Sequence, residues 1–369
     1  MKRPSFAVVC RSFGQPGGAE NWARQQARAL AATGRFDLHV VCAEEGRLEG
    51  PWQLHSVPTP RVTGFWHKWE FAWRVRRILE RFRFDWVHTH DPVPGATFAT
   101  TGPPQAFWAR EVRGKRFPGL NDRVHMSLER RMFVHPRFQL ALPMSRRVES
   151  EILGAYPMLK GKTRVITPLP EGPLPEENEV KRLRAEHRER LGLDEGERLI
   201  LFVGNNFRLK GLQHVIDAMG EERQAGRLWR LVVVGRGDAA EFTRMARIFG
   251  VGEQVQFAGL ESGSMLRWFA AADVLALPSK FETFGMVVPE AMRAGCAVMV
   301  TETVGAADLV QDGETGWVIR SGLEMAQALS IAWGADLRAM GEKARLRMSD
   351  GRSREALVAP LFEVIFGSK

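Results

Sequence analysis

The chain has 369 residues, of which 44% are apolar and 26% charged, a composition that excludes a disulfide-stapled mini-protein and wholesale disorder and predicts two domains. The net charge of +9 is unevenly spread, because residues 1–170 carry 27 basic against 14 acidic side chains and the remainder 25 against 29. No window reaches the roughly 18 consecutive apolar residues that a membrane-spanning helix needs.

The first half alternates short apolar runs with amphipathic stretches, which is typical of β-α-β units. Residues 6–10 are predicted to be a first strand and not a signal peptide, because the apolar run is short and meets Arg11. Further strands are predicted over residues 38–42, 86–89 and 140–143, with a helix over 19–33 that Gly34 closes. Cys10, Cys42 and Cys296 have no C-x-x-C spacing, which indicates reduced thiols in the cytoplasm.

Residues 64–84 predict a helix with two unlike faces. One face carries an ordinary apolar stripe, whereas Trp66, Trp69 and Trp73 fall almost opposite, beside Arg76 and Arg77. This second face is either a membrane or acceptor surface, or it is covered by a neighbouring loop or by the C-terminal helix.

A polar cluster, His88-Thr89-His90-Asp91, ends the strand predicted over residues 86–89. A metal site would need a third and a fourth ligand, and none is obvious. His90 is therefore either a packing histidine or, with Asp91, an acceptor-side residue that binds an incoming hydroxyl or takes its proton.

Residues 167–175 contain four prolines and predict a stiff linker. The predicted domains are residues 1–168 and 177–350, joined by residues 169–176, with a C-terminal helix in 351–369 that crosses back to the first domain. In the second domain a charged helix is predicted over residues 176–191, followed by strands over 199–203, 231–234, 255–257, 274–277 and 297–300. Each half thus predicts a doubly wound α/β domain.

The strongest chemical signal is the segment from Pro278 to Gly295, which leaves a strand, forms a loop and enters a helix. Glu282 precedes that helix and Glu290 lies in its first turn, so two carboxylates bracket the amides of residues 286–290, which predict a diphosphate site. The alternative is an exposed loop acid and a helix-start acid without a joint role.

This segment, E-x-F-G-x-x-x-x-E-A-x-x-x-G after a Pro-Ser strand end, resembles the signature of the family-4 retaining glycosyltransferases. The resemblance implies the GT-B fold, an α/β architecture of two facing Rossmann-like, doubly wound domains with an interdomain cleft. Further matches follow in the family's order over residues 17–20, 203–211, 233–237, 255–259 and 312–316.

The resemblance also implies roles for individual residues. Arg208 and Lys210 would neutralise the donor phosphates, Glu290 would bind ribose hydroxyls, and Glu282 would hold the donor sugar. The remaining donor-binding positions would be Gly17, Gly18, Gly204, Phe257, Phe284, Gly285, Met286 and Val287. The chain departs from the family at Asn205, where an arginine is usual, and at Arg110, which stands near the place of a common histidine. Because Asn205 replaces the usual arginine, Arg208 would supply that positive charge from a position further along the loop. A basic loop shifted in this way resembles that of the lipopolysaccharide-core glucosyltransferases.

The predicted function is transfer of a hexose, with glucose as the first candidate, from a nucleoside diphosphate sugar to a hydroxyl of a glycolipid or lipopolysaccharide core. A UDP-sugar is the expected donor, and no cofactor or metal is expected, since the chain lacks D-x-D. The enzyme is expected in the cytoplasm, peripherally bound to the anionic inner face of the membrane. No nucleic-acid partner is expected. Alternatives are the same fold acting on a soluble acceptor, a basic nucleic-acid-binding protein and a non-catalytic sugar-binding module.

Overall fold

The structure is a computed structural model that describes residues 3–15, 17–43, 49–58, 65–170, 172–194, 196–261, 263–349 and 357–367. The chain divides into two compact units: unit 1 comprises Met1–Pro168 and Arg352–Lys369, and unit 2 comprises Leu169–Gly351. Within these described ranges, no helix combines the length and the apolarity that crossing a bilayer requires.

Unit 1 is built on a parallel six-stranded sheet with the strand order β3-β2-β1-β4-β5-β6. Its strands are β1 (Ser5–Val9), β2 (Asp37–Cys42), β3 (Gln53–Ser56), β4 (Trp86–Thr89), β5 (Phe98–Thr101) and β6 (Leu140–Pro143). Its first helices are α1 (Gly18–Ala32), α2 (Phe65–Phe82), α3 (Gln105–Phe107), α4 (Leu120–Phe133) and α5 (Arg146–Ala155), and a wider turn, Trp108–Val112, continues α3. All strands point the same way, so their carboxyl ends meet at one edge, where such sheets bind ligands.

Unit 2 repeats this plan with the order β12-β11-β10-β7-β8-β9, again all parallel. Its strands are β7 (Arg198–Val203), β8 (Trp229–Val234), β9 (Val255–Gly259), β10 (Val274–Leu277), β11 (Ala297–Thr301) and β12 (Gly316–Ile319). Its helices are α6 (Glu177–Arg190), α7 (Leu212–Gln224), α8 (Ala239–Ile248), α9 (Leu266–Ala271), α10 (Val287–Arg293), α11 (Met325–Gly334) and α12 (Leu337–Arg347), and α13 (Ala359–Phe366) follows in the part of the chain that returns to unit 1. Single 3-10 turns lie at Pro157–Leu159, Gly252–Gln254, Gly305–Leu309 and Gly322–Glu324.

The central strand of unit 1 is buried on both faces, because successive side chains of a strand point to opposite sides. Phe6 packs with Trp22 of α1 on one face, and Ala7 packs with Phe71 of α2 on the other. Helix α13 adds Leu361 to the first of these two cores. The C-terminal segment is therefore an integral part of unit 1.

All nine strands predicted from the sequence are present, as are the helices predicted over residues 19–33 and 176–191. Gly34, expected to close the first of these helices, adopts a φ of +63°, and Gly192, which follows the second, adopts +65°. The sequence analysis missed β3, β5 and β12. β3 is a polar four-residue edge strand, and the other two are four-residue runs with little periodicity, too short to register as a pattern.

Candidate functional site

The loop after β10, which carries Glu282, is tied to the loop after β11. The Glu282 N–H donates to the Thr303 carbonyl at 3.1 Å, and the Gly305 N–H donates back to the Glu282 carbonyl at 3.0 Å. The Ala306 N–H donates to the Phe284 carbonyl at 2.7 Å. The backbone on both sides of the Glu282 side chain is therefore fixed at the carboxyl edge of the unit 2 sheet.

The loop between β7 and α7 packs against the same β10 loop. The Lys280 N–H donates to the Leu209 carbonyl at 2.8 Å, and the Ser279 hydroxyl donates to that carbonyl at 3.2 Å. Gly211 permits the approach, since its φ is +82° and a Cβ there would lie 2.0 Å from the Pro278 carbonyl oxygen. Two loops distant in sequence thus form one surface.

Lys210 and Glu282 meet on this surface as an ion pair. Their side chains are 18% and 23% exposed, so the pair is largely shielded from water. The Lys210 stem passes over Gly204, where a Cβ would lie 2.2 Å from Lys210 Cδ. A side chain at position 204 would therefore displace the Lys210 stem from its present path to the carboxylate.

Arg208 has a different partner. Its guanidinium binds both carboxylate oxygens of Glu241, at 2.6 and 3.1 Å, and Glu241 lies in the first turn of α8. The Arg208 side chain is 75% exposed. It lines a cavity of about 260 Å³ together with Lys280 and Arg320. The predicted basic pair is thus held in two separate ion pairs, with Lys210 on Glu282 and Arg208 on Glu241.

Glu290 lies in the first turn of α10 in an environment poor in water. Burial raises the pKa of the Glu290 carboxyl to about 7, and the Arg293 guanidinium opposes that rise. Arg293 itself donates to the carbonyl oxygens of Pro170 and Gly172, at 3.3 and 2.9 Å, and of Pro173. The helix that carries Glu290 therefore also holds the proline-rich segment against unit 2.

Fewer backbone amides at the start of α10 are available to an anion than the sequence predicts. The Val288 N–H donates to the Gly285 carbonyl at 3.0 Å and the Glu290 N–H to the Met286 carbonyl at 3.2 Å, while Pro289 has no N–H. Three of the five positions thus offer no amide to a diphosphate. The predicted set of amides is therefore corrected from residues 286–290 to Met286 and Val287.

The remaining donor-side positions of unit 2 are mostly packing positions. Phe284 is buried, and the φ of +93° at Gly285 lets the chain turn beside Val304, whose Cγ1 would lie 3.1 Å from an added Cβ. Phe257 is half-buried in the middle of β9, with its ring centroid 6.0 Å from that of Phe207. Whether these residues contact a donor stays a prediction.

Gly17 and Gly18 lie where α1 begins, after the carboxyl end of β1. Gly17 is the N-cap residue, and its carbonyl accepts the Asn21 N–H at 2.9 Å. The Glu20 carboxylate folds so close that a Cβ on Gly17 would lie 2.1 Å from Glu20 Oε2, whereas a Cβ on Gly18 would meet nothing within 4 Å. A side chain at position 17 would therefore have to displace the flexible Glu20 carboxylate, whereas one at position 18 would not.

His90 and Asp91 follow β4 at the carboxyl edge of unit 1. The Asp91 carboxylate accepts the Arg11 N–H at 2.7 Å. His90 Nε2 is enclosed and has no hydrogen-bond partner in the described part of the chain, and burial lowers the His90 pKa to about 3. The His88 and His90 rings lie 4.8 Å apart, yet no three potential metal-ligating side chains converge anywhere in the described ranges.

Arg110 lies in the wide turn after α3 and forms an ion pair with its neighbour Glu111 at 2.6 Å, its side chain 75% exposed. The structure thus leaves Arg110 at the surface of unit 1. Its acceptor-side role stays a prediction.

The tryptophans of α2 form an exposed array. Trp66, Trp69 and Trp73 are 54%, 43% and 42% exposed, and the Trp69 and Trp73 rings are stacked with centroids 6.3 Å apart. The Arg77 guanidinium lies 4.4 Å from the Trp73 ring centroid, a cation–π contact.

The C-terminal helix lies elsewhere in unit 1. Leu361 of α13 is in the core beside β1, and Phe362 contacts Phe36 at 5.9 Å between ring centroids. Arg76 points along α2 to an ion pair with Glu80 at 2.7 Å. The alternative that α13 covers the tryptophans is therefore wrong, whereas the loop before α2 lies outside the described residues.

Two family profiles together match most of the chain. Residues 16–169 match the profile of glycosyltransferase family 4, and residues 184–349 match that of the glycosyl transferases group 1. The lipopolysaccharide glucosyltransferase WaaG of Escherichia coli K12 is 33% identical over 156 residues, 41% of each chain. The D-inositol 3-phosphate glycosyltransferase of Nocardia farcinica is 34% identical over 174 residues, 44% of this chain and 37% of the relative. The alignments therefore span less than half of these curated relatives.

Solved structures show the same architecture over the whole length. The crystal structure of WaaG superposes with a TM-score of 0.80 at 22% identity, covering 98% of this chain and 100% of the other. Anabaena HepE in complex with UDP and glucose gives a TM-score of 0.73 at 17% identity, covering 99% and 100%. At these identities the likeness concerns the fold.

The two doubly wound parallel units define a protein of the GT-B class. The chain belongs to the family-4 glycosyltransferases and resembles the lipopolysaccharide-core glucosyltransferases.

Three features of the two carboxyl edges escaped the sequence analysis. Glu241 binds Arg208 from another helix, and Arg293 clamps the proline-rich segment. The third is a polar cavity in unit 1 that includes Glu129 and Tyr156. Each depends on contacts between residues 27 or more positions apart, for which a single sequence offers no signal.

Proposed function

We propose that the protein transfers a hexose, glucose first among the candidates, from a UDP-sugar to a hydroxyl of a lipopolysaccharide core or other glycolipid, with retention of anomeric configuration. The observation that carries the proposal is the shielded Lys210–Glu282 pair at the carboxyl edge of unit 2, in a family of glycosyltransferases.

The chemistry explains why this pair matters. Departure of a nucleoside diphosphate builds negative charge on its phosphate oxygens, which a preorganised cation stabilises best when water is excluded. Lys210 is such a cation, and incoming phosphates would compete with Glu282 for it. Glu282 would then be released to accept hydrogen bonds from the donor sugar, while Glu290 accepts them from the ribose hydroxyls.

The cations of the chain would replace a divalent metal in this proposal. Lys210 supplies charge at the β10 loop, and Arg208 would add to it after leaving Glu241. The UDP complexes of HepE, a protein of the same fold, support UDP as the first nucleotide to test. Transfer should accordingly persist in EDTA.

A membrane location is the second part of the proposal. An exposed tryptophan array beside arginines suits the interface of an anionic bilayer, where each nearby basic residue contributes on the order of 1 kcal/mol. Unit 1 would therefore bind the cytoplasmic face of the membrane, where a lipid-linked acceptor is anchored.

Calorimetric titration of the full chain with UDP-glucose, UDP-galactose, UDP-N-acetylglucosamine, ADP-glucose and GDP-mannose tests the donor. Transfer to a lipopolysaccharide-core acceptor in EDTA, with the anomeric configuration of the product read by NMR, tests the reaction. Absence of binding to every nucleotide sugar would refute the proposal, and an inverted product would refute retention.

A soluble acceptor is the second candidate, favoured by the similarity to the D-inositol 3-phosphate glycosyltransferase of Nocardia farcinica. Equal transfer to a soluble sugar phosphate and to a vesicle-embedded glycolipid would favour it. Rates that rise only with the embedded acceptor would favour the glycolipid.

A further inference from the structure

A cavity of about 890 Å³ lies at the amino edge of the unit 2 sheet. It is bordered by Arg198, the first residue of β7, by Asp273, which directly precedes β10, and by the start of α12. The loops that carry Lys210 and Glu282 leave the same two parallel strands at their other ends, and the six residues of β7 span about 20 Å. The cavity is therefore separate from the carboxyl edge of unit 2. It is referred to below as the amino-edge cavity.

Basic side chains from three parts of unit 2 line the amino-edge cavity. Lys181, Arg184 and Arg188 come from α6, Arg198 from β7 and Arg338 from the first turn of α12. The positive charge of Arg184 is the largest cause that holds the pKa of the Arg338 guanidinium below its ordinary value, ahead of burial, and Arg188 adds to it. Arg338 therefore lies beside like charges, whose repulsion a bound anion would relieve.

The lining also includes four carboxyl groups, those of Asp273, Asp336, Glu189 and Glu197. Asp273 is largely shielded from water and accepts the Leu199 N–H at 2.7 Å, an Arg188 N–H at 3.2 Å and the Arg184 guanidinium. Two guanidinium groups thus share one carboxylate, which leaves positive charge in excess at this point of the lining.

Asp336 is engaged by its own helix. It is the N-cap residue of α12, and its carboxylate accepts the N–H groups of Arg338 and Ala339 at 3.1 and 3.0 Å. Asp273 and Asp336 both act to raise the Arg338 pKa, yet the net shift is downward. At Arg338 these two carboxylates therefore do not outweigh the neighbouring arginines.

The outer charges of the lining are paired or in contact with water. Glu197 forms an ion pair with Arg230 at 3.9 Å, and Lys181 is paired with Glu177 on the exposed surface of α6. Glu189 is exposed, so water and salt screen its charge. These groups leave the balance between Asp273, Asp336 and the arginines to set the charge near Arg338.

The hydrogen-bond donors of these arginines are not all used. Arg198 donates to the Ala332 carbonyl at 2.8 Å, and Arg184 Nη1 donates to the Ala272 carbonyl at 2.8 Å. Arg184 Nε, however, is enclosed without a hydrogen-bond partner in the described part of the chain. The exposed Arg338 guanidinium forms neither a hydrogen bond nor an ion pair with any residue that the structure describes. Arg338 can therefore offer its whole guanidinium to a ligand.

We propose that the amino-edge cavity binds a small phosphorylated molecule, whose phosphate group is held by Arg338 in the positive field of Arg184 and Arg188. A guanidinium suits this role, because its planar fork donates two parallel N–H bonds to phosphate oxygens. The cavity falls within the usual range of small-molecule sites, about 300–1,000 Å³, so it has room for an organic group beyond the phosphate.

Phosphorus-31 NMR titration of the full chain at constant ionic strength tests the proposal, with inorganic phosphate, glycerol 3-phosphate and glucose 6-phosphate as probes. At least one probe should bind, and Arg338→Ala should weaken it about tenfold or more, the loss expected for a charged hydrogen bond. Arg338→Lys should retain part of the affinity, since it keeps the charge but not the fork. Equal binding of all three probes would assign the site to phosphate itself, and binding of an ester alone would assign it to an organic phosphate.

Lys343→Ala is the matched control, because Lys343 is an exposed cation of the same helix outside the lining, and it should bind the probe as the wild type does. Arg338→Ala should also keep the wild-type affinity for UDP, and thermal melting confirms that each variant is folded. The proposal is overturned if no probe binds the wild type, or if Arg338→Ala binds as tightly as the wild type. It is equally overturned if Lys210→Ala, and not Arg338→Ala, abolishes binding, since the anion would then occupy the carboxyl edge.

Discussion

Glu282 and Glu290 lie in one segment of unit 2 but in different surroundings. Glu282 is paired with a cation, whereas burial raises the Glu290 pKa to about 7. The folded chain therefore disfavours the ionised form of Glu290. A carboxylate that destabilises the protein in which it lies is typical of a binding group awaiting its ligand.

Glu290→Gln should raise stability and impair binding. Because the folded-state pKa of Glu290 lies above the value of about 4.5 for an unfolded chain, its favourable contribution is present at low pH and is lost as the pH rises through about 7. The melting temperature of the variant should therefore exceed that of the wild type at pH 8 and match it near pH 5. Scanning calorimetry at both pH values measures this, and an equal difference at the two would contradict it.

The same substitution should weaken UDP binding, whereas Glu282→Gln should spare it and lower only transfer. Calorimetric titration with UDP and a transfer assay on both variants separate these effects. The reverse pattern would exchange the roles of the two glutamates.

Lys210→Ala should lower the transfer rate by about 10² or more, the usual loss for a preorganised electrostatic group. Lys181→Ala is the matched control, since Lys181 makes an exposed ion pair with Glu177 on α6. A wild-type rate for Lys210→Ala at saturating donor would show that Lys210 does not bind phosphate.

At the scale of secondary-structure elements, most strands could be predicted from short apolar runs in the sequence, whereas the contacts between loops could not. The apolar runs of β1, β7 and β10 mark buried parallel strands, and the fold follows from their alternation with helices. The pairing of Arg208 with Glu241 joins the loop after β7 to the first turn of α8, and no pattern in the sequence distinguishes Glu241 from Glu282 as the partner of Arg208. Short-range pattern thus predicts the nine longer or more apolar strands and the loops that follow them, while side-chain partners depend on tertiary packing.

Gly204→Ala should reproduce much of the Lys210→Ala defect. The new methyl would lie 2.2 Å from Lys210 Cδ and displace the ammonium from Glu282. Gly226→Ala is the control, since Gly226 also has a positive φ, at +80°, but its Cβ would meet nothing within 4 Å. Both variants should lose stability, by about 1 kcal/mol or more, yet only Gly204→Ala should lose activity. Equal transfer rates would show that the Lys210 position does not matter.

Replacing Trp66, Trp69 and Trp73 of α2 with serine should reduce binding to vesicles of phosphatidylglycerol and phosphatidylethanolamine. Transfer to an embedded acceptor should fall with it, while UDP affinity stays unchanged. Ile248→Ser with Leu323→Ser, exposed apolar positions of unit 2, is the control. A lowered melting temperature with equal loss of transfer to embedded and soluble acceptors would show that the tryptophans act in folding.

At the scale of the whole molecule, unit 1 is assembled from two separate stretches of chain, Met1–Pro168 and Arg352–Lys369. Leu357, Val358 and Leu361 from the second stretch are fully or almost fully buried in its core. Removing residues 352–369 should therefore lower the melting transition of unit 1 and leave that of unit 2 in place. Calorimetry resolves this, and an unchanged thermogram would contradict it.

This discontinuity sets an order of events during synthesis. The ribosome produces most of unit 1 first but releases its last core residues only after all of unit 2 has emerged, so unit 2 can complete its fold earlier. During that interval the apolar surface that α13 later covers, near Phe36 of unit 1, is open to solvent and to other nascent chains. The half of the protein that is made first is thus the half that completes its core last.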